Sequence, residues 1–404
     1  MKRAHPVLPP DSSASVVVPS RVANADDAHR RYPAEFAQLI PALERVDPLA
    51  DALVAWADEA GVPATRVLDE ALALRTRGSA ERHPSEPANA LLDQLLHPPT
   101  WVDMDRVDAG GAALRRAALT GGLVLAFRSL VSGYAAPAGN KPLAFSGRLE
   151  ASAARRLDET GRFVRAVSET GGLDPTGEGF LLTARVRLMH AGVRRLLLRS
   201  GRWDQLAWSS PINQHDMLAT ILLFSSVWLG GCRLLGVTFP AEEAANHMHQ
   251  WRYVGYLMGV DEALLPTSEE QGVRLQEFIR LTQHAPDEDS RRLVRALMTP
   301  PPTVDPTWQR RLLQPLWTDY LNGLCHVLLD PDLCTGLGIP PARSLRLIRR
   351  SSRLRAAAGR AVISNPGLDR LVMQWGDRYW QQSVGRVAGT LQYEYPTPIA
   401  LGKG

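Results

Sequence analysis

Apolar residues recur at three- and four-residue spacing along most of the chain, the period of a helix with one buried face. From Pro33, the stretches PAEFAQLIPALERV, DPLADALVAWADEAG and PATRVLDEALALRTRG each read this way, the last ending at a glycine. SAERHPSEPANA interrupts the pattern as a loop, and ANALLDQLLHPPTWVD resumes it up to Pro98-Pro99. DRVDAGGAALRRAAL and GGLVLAFRSLVSGYAAPAG follow as two further helices. A long helix is expected from near Pro142 through LAFSGRLEASAARRLDETGRFVRAVSET, stopped by the glycines of GGLDPTGEG. The next runs from near Gly179 to Ser200-Gly201. SPINQHDMLATILLFSSVWLGGCRLLG offers Asn213 or Ser210 as its cap, with Asp216 in the first turn. PAEEAANHMHQWRYVGYLMGV places Pro240 at its first helical position and Glu242 and Glu243 in its first turn. Helical periodicity continues beyond Pro266, broken by the linker TPPPTVDPTW (Thr299 to Trp308) and ended by the loose tail YEYPTPIALGKG. Hairpin signals and internal repeats are absent. The pattern predicts an all-α fold: one large helical bundle over residues 26–404, preceded by a polar, Pro-rich disordered tail over residues 1–25.

Composition narrows the function classes. A chain of 404 residues with 45% hydrophobic and 22% charged residues is an ordinary globular protein able to bury a large core. The formal net charge is +4, and nearly all the positive charge is arginine, since lysine occurs only at Lys2, Lys141 and Lys403. These arginines are dispersed among Asp and Glu, which argues against a nucleic-acid surface. One segment departs from that dispersion. RSLRLIRRSSRLRAAAGR, Arg343 to Arg360, is basic and amphipathic: either a solvated helix face or a peripheral contact with an anionic partner or membrane. The longest apolar run, Met217 to Gly231, has about fifteen residues, short of the ~18–20 that span a bilayer, so no transmembrane segment is expected. The N-terminal MKRAHPVLPPDSSASVVVPS lacks the apolar core of a signal peptide. Cys232, Cys325 and Cys334 match no zinc spacing and form no CxxC. Together these point to reduced thiols and a cytoplasmic setting.

The familiar catalytic motifs are absent: GxGxxG after a strand, a Walker A loop, HExxH and GxSxG. His247 and His249 look like a metal pair, but on a helix an i, i+2 pair points about 200° apart, so a shared metal is not expected. One of them is expected to pack on Trp251. The stretch TARVRLMHAGVRR is more informative. Thr183, Val186, His190, Val193 and Leu197 fall on one helical stripe, with Arg187 and Arg194 one turn to either side of His190. A haem iron needs one neutral imidazole, an apolar pocket and cations at the edge for two propionates. The stripe supplies these residue types, and it equally suits a histidine packed in a core.

TARVRLMHAGVRR, GRLEASAARRLDETGRFV, SPINQHDMLATILLFS and EEAANHMHQWRYVGYLMGV occur in the order of successive blocks of a known family. In them the chain resembles the latex-clearing-protein (rubber oxygenase) family, which includes the fungal mycophenolic-pathway oxygenases, over roughly residues 140–265. The resemblance implies a globin-related helical core holding haem b, with His190 as the iron ligand and Arg187 and Arg194 reaching the propionates. It also implies distal polar roles for Arg156 and Thr160, which share a helix face at i, i+4. Two positions depart from the rubber-cleaving members. Glu159 stands where they have a lysine, and Asn140, which cannot abstract a proton, stands near their catalytic glutamate. The function implied is a haem b oxygenase using O2 to oxidise or cleave a C=C bond of a hydrophobic, isoprenoid-like substrate smaller than rubber. Leu223 or Phe224 would line the channel, and the role of Glu159 is open. The alternatives are a haem protein that senses, carries or scavenges, and a haem-free helical scaffold.

Overall fold

The computed structural model describes residues 18–77, 82–145, 153–298 and 308–384, with the side chains of 153–157, 308–313 and 383–384 outside that description. All regular elements among the described residues are helical, as the periodicity requires.

The organising element is a central helix, Met104–Val124, which passes through a π-helical turn, Leu125–Leu130, into Val131–Tyr134. The sequence pattern reads it as two helices. The structure divides the 31-residue path close to that point, at a kink where Ala118 is non-helical with φ 42° and ψ −124°. The Trp251 helix (Ala241–Leu257), the Thr160 helix (Ala153–Ser168) and the C-terminal helix (Pro366–Val384) all pack on it. Gly110 and Gly111 permit two of these close approaches. A β-carbon at Gly110 would stand 2.6 Å from Gln250 Cβ, and one at Gly111 would stand 2.0 Å from the Ser168 carbonyl oxygen. The C-terminal helix is fastened where Trp380 Nε1 donates to the Leu114 carbonyl at 3.0 Å, and Arg116 bridges Glu243 and Asp369.

Several boundaries shift from the sequence expectation for local reasons. Asn213 does cap its helix, its side chain accepting from the Asp216 amide at 2.9 Å. That helix breaks at Ser225, whose φ and ψ are −105° and −101°, giving Gln214–Phe224 and Ser226–Leu234. Pro240 is the cap residue rather than the first helical residue. Of the helix expected from Pro142, Lys141–Ala144 and Ala153–Ser168 are helical, and residues 146–152 between them lie outside the described residues. The tail expected over residues 1–25 lies outside the described residues up to residue 17, but its end is docked. Arg21 is buried and bonds both oxygens of Asp216, and Ala25–Arg31 is helical. The Thr299–Trp308 linker lies outside the described residues except at Trp308.

Met104–Tyr134 and Gln214–Leu234 are long and apolar enough to cross a membrane, so the apolar stretch is longer than the Met217–Gly231 run suggested. More than half of each is buried against neighbouring helices, the environment of a core helix. A single continuous core runs from Ala28 to Trp380.

The crossing at Gly111 gives the first prediction. Gly111→Ala forces a methyl into helix backbone that cannot yield by rotating a side chain. It should lower stability by about 2 kcal/mol in urea unfolding, within the usual range for overpacking.

Candidate functional site

His190 sits midway along the helix Glu178–Arg199, which the sequence placed within a residue at either end. Thr183 and Leu197 of its stripe are buried, and Thr183 Oγ1 donates to the Gly179 carbonyl at 2.7 Å. Val186, Met189, His190 and Val193 are half-buried, so the middle of the stripe is incompletely covered. Among the described residues the imidazole itself has no hydrogen-bond partner. Nδ1 is sealed from solvent with nothing to bond, and Nε2 makes no bond either. Burial pushes the His190 pKa down to about 4, the Arg194 guanidinium adds to the shift, and Asp47 opposes it. At neutral pH the ring is uncharged, the form that ligates a metal.

The flanking arginines, expected at the edges of the stripe, are more deeply buried than His190 itself, and they are committed to protein partners. Arg187 grips Asp47 with two bonds, Nε at 2.6 Å and Nη2 at 2.9 Å. Its Nη1 reaches Gln94 Oε1 at 2.6 Å and the Leu257 carbonyl at 3.2 Å. Asp47 also caps the helix Pro48–Glu59 by accepting from the Ala50 amide. Gly259, with φ of 87°, lies flat on this pair: a β-carbon there would be 2.4 Å from Asp47 Oδ2 and 2.6 Å from Arg187 Nε. Arg194 bonds Asp51 and the carbonyls of Pro211 and Ile212. Those carbonyls belong to a turn held in unusual conformations, with Ser209 at φ 59° and Ile212 at φ 51°. Burial raises the Asp51 pKa, against the pull of Arg194. Sequence reasoning missed Asp47, Asp51, Gln94 and Gly259. The Asp47-Pro48 dipeptide, a helix-start signal, was the available clue to the first.

The Thr160 helix packs directly against the His190 helix. Thr160 and Glu159 are half-buried. Arg156 lies on the same helix, with its side chain outside the described residues. Asn140 is buried and donates to the Tyr134 carbonyl at 2.8 Å and to Ser290 Oγ at 2.9 Å, leaving Oδ1 without a partner. Its neighbour Lys141 is held between Asp287 and Asp289. Leu223 and Phe224 are half-buried. Phe224 stacks on Trp251 with centroids 4.8 Å apart and planes 9° apart, and Phe163 of the Thr160 helix meets Trp251 edge-on at 6.3 Å.

His247 and His249 diverge as their spacing requires. His247 Nε2 donates to the Phe224 carbonyl at 3.0 Å, with the ring against Trp228 and more loosely against Trp251. His249 Nε2 accepts from the Asp103 amide at 3.1 Å. Among the described residues, no three His, Cys, Asp or Glu side chains gather as a metal site.

The sequence model described as ER-bound oxygenase mpaB/B'/Rubber oxygenase, catalytic domain, matches residues 112–362. A rubber oxygenase from Streptomyces sp. (strain K30) is 23% identical over 229 residues. That is 56% of this chain and 54% of the relative, so the match spans about half of the relative's length. A solved structure of latex clearing protein LCP in the closed state is similar over 84% of this chain and 91% of that one, with a TM-score of 0.57 and 18% identity. At that identity the likeness is one of fold.

Two predictions follow from the charges. Asp47→Ala strands the Arg187 guanidinium in the interior and should cost about 3–5 kcal/mol, whereas the double variant Asp47→Leu/Arg187→Met should recover most of that loss in chemical denaturation. Burial also holds the His247 pKa down at about 4, below the 6.5 of an unfolded histidine. The unfolded chain therefore binds more protons between those values, and stability must fall as the pH drops through that window. Thermal midpoints measured from pH 7 to 4 should decline less steeply for His247→Gln. An unchanged slope would assign the loss to other groups.

Proposed function

The chain belongs to the ER-bound oxygenase mpaB/B'/rubber oxygenase catalytic-domain family, and from that premise we propose that it is a haem b oxygenase acting with O2 on a C=C bond of a hydrophobic, isoprenoid-like molecule. The observation that carries this reading is the His190 imidazole: neutral, with Nδ1 sealed from solvent, and without a hydrogen-bond partner among the described residues. A core histidine ordinarily satisfies its nitrogens, because an unbonded buried polar atom is costly. A ring held this way suits a ligand that completes it. When bound, haem supplies the iron at which dioxygen is activated for oxidation or cleavage of the double bond.

The chain's own groups divide the remaining work. His190 offers a lone pair fixed by the rotation of its helix. The haem edge falls chiefly to Arg194. Its partner Asp51 is 30% exposed and can be displaced, and two of its N–H donors are not engaged by the contacts above. Arg187 is bound to a carboxylate only 4% exposed, so its role is to set the helix. Arg156 and Thr160 are the donors proposed for the distal side, with Glu159 beside them. Leu223 and Phe224, half-buried with Phe224 backed by Trp251, are the apolar residues proposed to meet a hydrocarbon.

One observation favours a second reading, a haem protein that carries or senses. Asn140, aligned near the family's base, donates both amide hydrogens to protein acceptors and cannot take a proton from substrate.

The decisive measurement is the absorption spectrum of protein purified with ample haem, beside His190→Ala. The expected result is a Soret band that is lost or changed in spin state in the variant. Identical haem content and spin state would refute the ligand assignment, and no Soret band in either protein would refute haem binding.

A further inference from the structure

The helices Leu345–Ile363 and Pro366–Val384 carry a surface that the proposed chemistry does not use. The first turns Ile348 and Ser352 inward, Arg355 Nε donates to the Leu235 carbonyl at 2.9 Å, and Gly359 rests on Thr238. On an outer flank of the same helix Leu347 and Leu354 are 70% and 73% exposed. Seven residues apart, they form one ridge along the helix. At 100° per residue, Arg346, Arg350 and Arg353 run along one edge of that ridge. All three are exposed and make no ion pair or hydrogen bond among the described residues. The second helix packs against the first and continues the theme, with Leu371 62% and Trp375 55% exposed. The only acidic residues on the two helices, Asp369 and Asp377, are taken by Arg116 and Arg115.

Exposed leucines and a tryptophan beside uncompensated arginines form a surface with two demands, an apolar layer to enter and anions at its edge. We propose that these two helices dock the protein on an anionic phospholipid bilayer, the leucines and Trp375 entering the headgroup boundary and the arginines meeting lipid phosphates. Other occupants fit less well. A second copy would bring two arginine-rich faces of the same sign together. Residues 385–404 hold Arg386 and Lys403 against Glu394, so they cannot neutralise the arginines. A nucleic acid would leave the leucine ridge unused. The inference stands apart from the oxygenase reading, since it uses no residue of the His190 site.

The test is flotation of the full-length protein with vesicles of phosphatidylcholine alone and of phosphatidylcholine mixed with phosphatidylserine. Binding should require phosphatidylserine and weaken as salt rises. Each arginine replaced in Arg346→Gln/Arg350→Gln/Arg353→Gln should weaken it about fivefold. Leu354→Ser should weaken binding in both low and high salt. Quenching of tryptophan fluorescence by brominated phosphatidylserine should fall in Trp375→Phe. Circular dichroism and the thermal midpoint report whether each variant stays folded, and the quenching experiment needs only the conservative Trp375→Phe change. Equal binding to both vesicles, no binding to either, or unchanged binding by the folded triple variant would overturn the proposal. So would a stable dimer that Leu354→Ser dissolves.

Discussion

The pair of Arg187 and Asp47 is the constraint around which this interior is arranged. Two opposite charges, 3% and 4% exposed, are tolerable in a protein core only if geometry and further hydrogen bonds offset their lost hydration. The structure meets that condition by bringing several elements to one point. Asp47 comes from the start of Pro48–Glu59, Gln94 from Glu86–Leu96, the Leu257 carbonyl from the end of the Trp251 helix, and Gly259 closes over the pair. Gln214 extends the junction, donating to the carbonyls of Val46 and Gly259 and accepting from the Asp261 amide. Since Arg187 is one turn before His190, these contacts fix the rotation of the helix, and with it the direction of the imidazole. A helix free to roll about its axis would present the valines in its place.

The same arrangement sets the electrostatics of His190. Burial is the largest influence against a proton on the ring, Arg194 acts in the same direction, and Asp47 opposes them. The imidazole is neutral chiefly because it is shut away from water. A site tuned by exclusion of water is less sensitive to individual charge changes than to anything that lets water in.

Sequence periodicity carried most of the fold, because a 22-residue helix buried on one face leaves a strong three-four pattern. It put His190 on the buried stripe with Arg187 and Arg194 at its edges; in the structure the two arginines are the buried residues and His190 is half-buried. It failed where pairing between distant segments decides the outcome. Arg21 looked like part of a tail because nothing local reveals that Asp216 awaits it; burial raises that carboxyl, but Arg21 and His215 outweigh it and hold it below the usual carboxylate range. The glycines near Thr120 marked a break, and the central helix is indeed kinked close by, at Ala118; what they did not reveal is that the Gly121 carbonyl accepts from Trp228 Nε1. Arginine periodicity also gave no account of the arginines' partners, which lie some 140 residues away along the chain.

Those partners bear on how far family likeness reaches. The family match begins at residue 112, and it includes His190, Arg187, Arg194 and Thr160. Asp47, Asp51 and Gln94 all precede it. The matched segment therefore contains two buried arginines whose charges are neutralised from the N-terminal helices. Without those helices Arg187 would be an unpaired buried cation, so the helical core and its N-terminal layer are coupled in stability. The N-terminal helices also take up donors that an arginine would otherwise turn toward an anionic ligand. The more exposed Asp51 leaves that possibility at Arg194 and the enclosed Asp47 removes most of it at Arg187. Two arginines that look equivalent in the spacing of TARVRLMHAGVRR thus differ in the work left to them, and the difference is set by residues outside the motif.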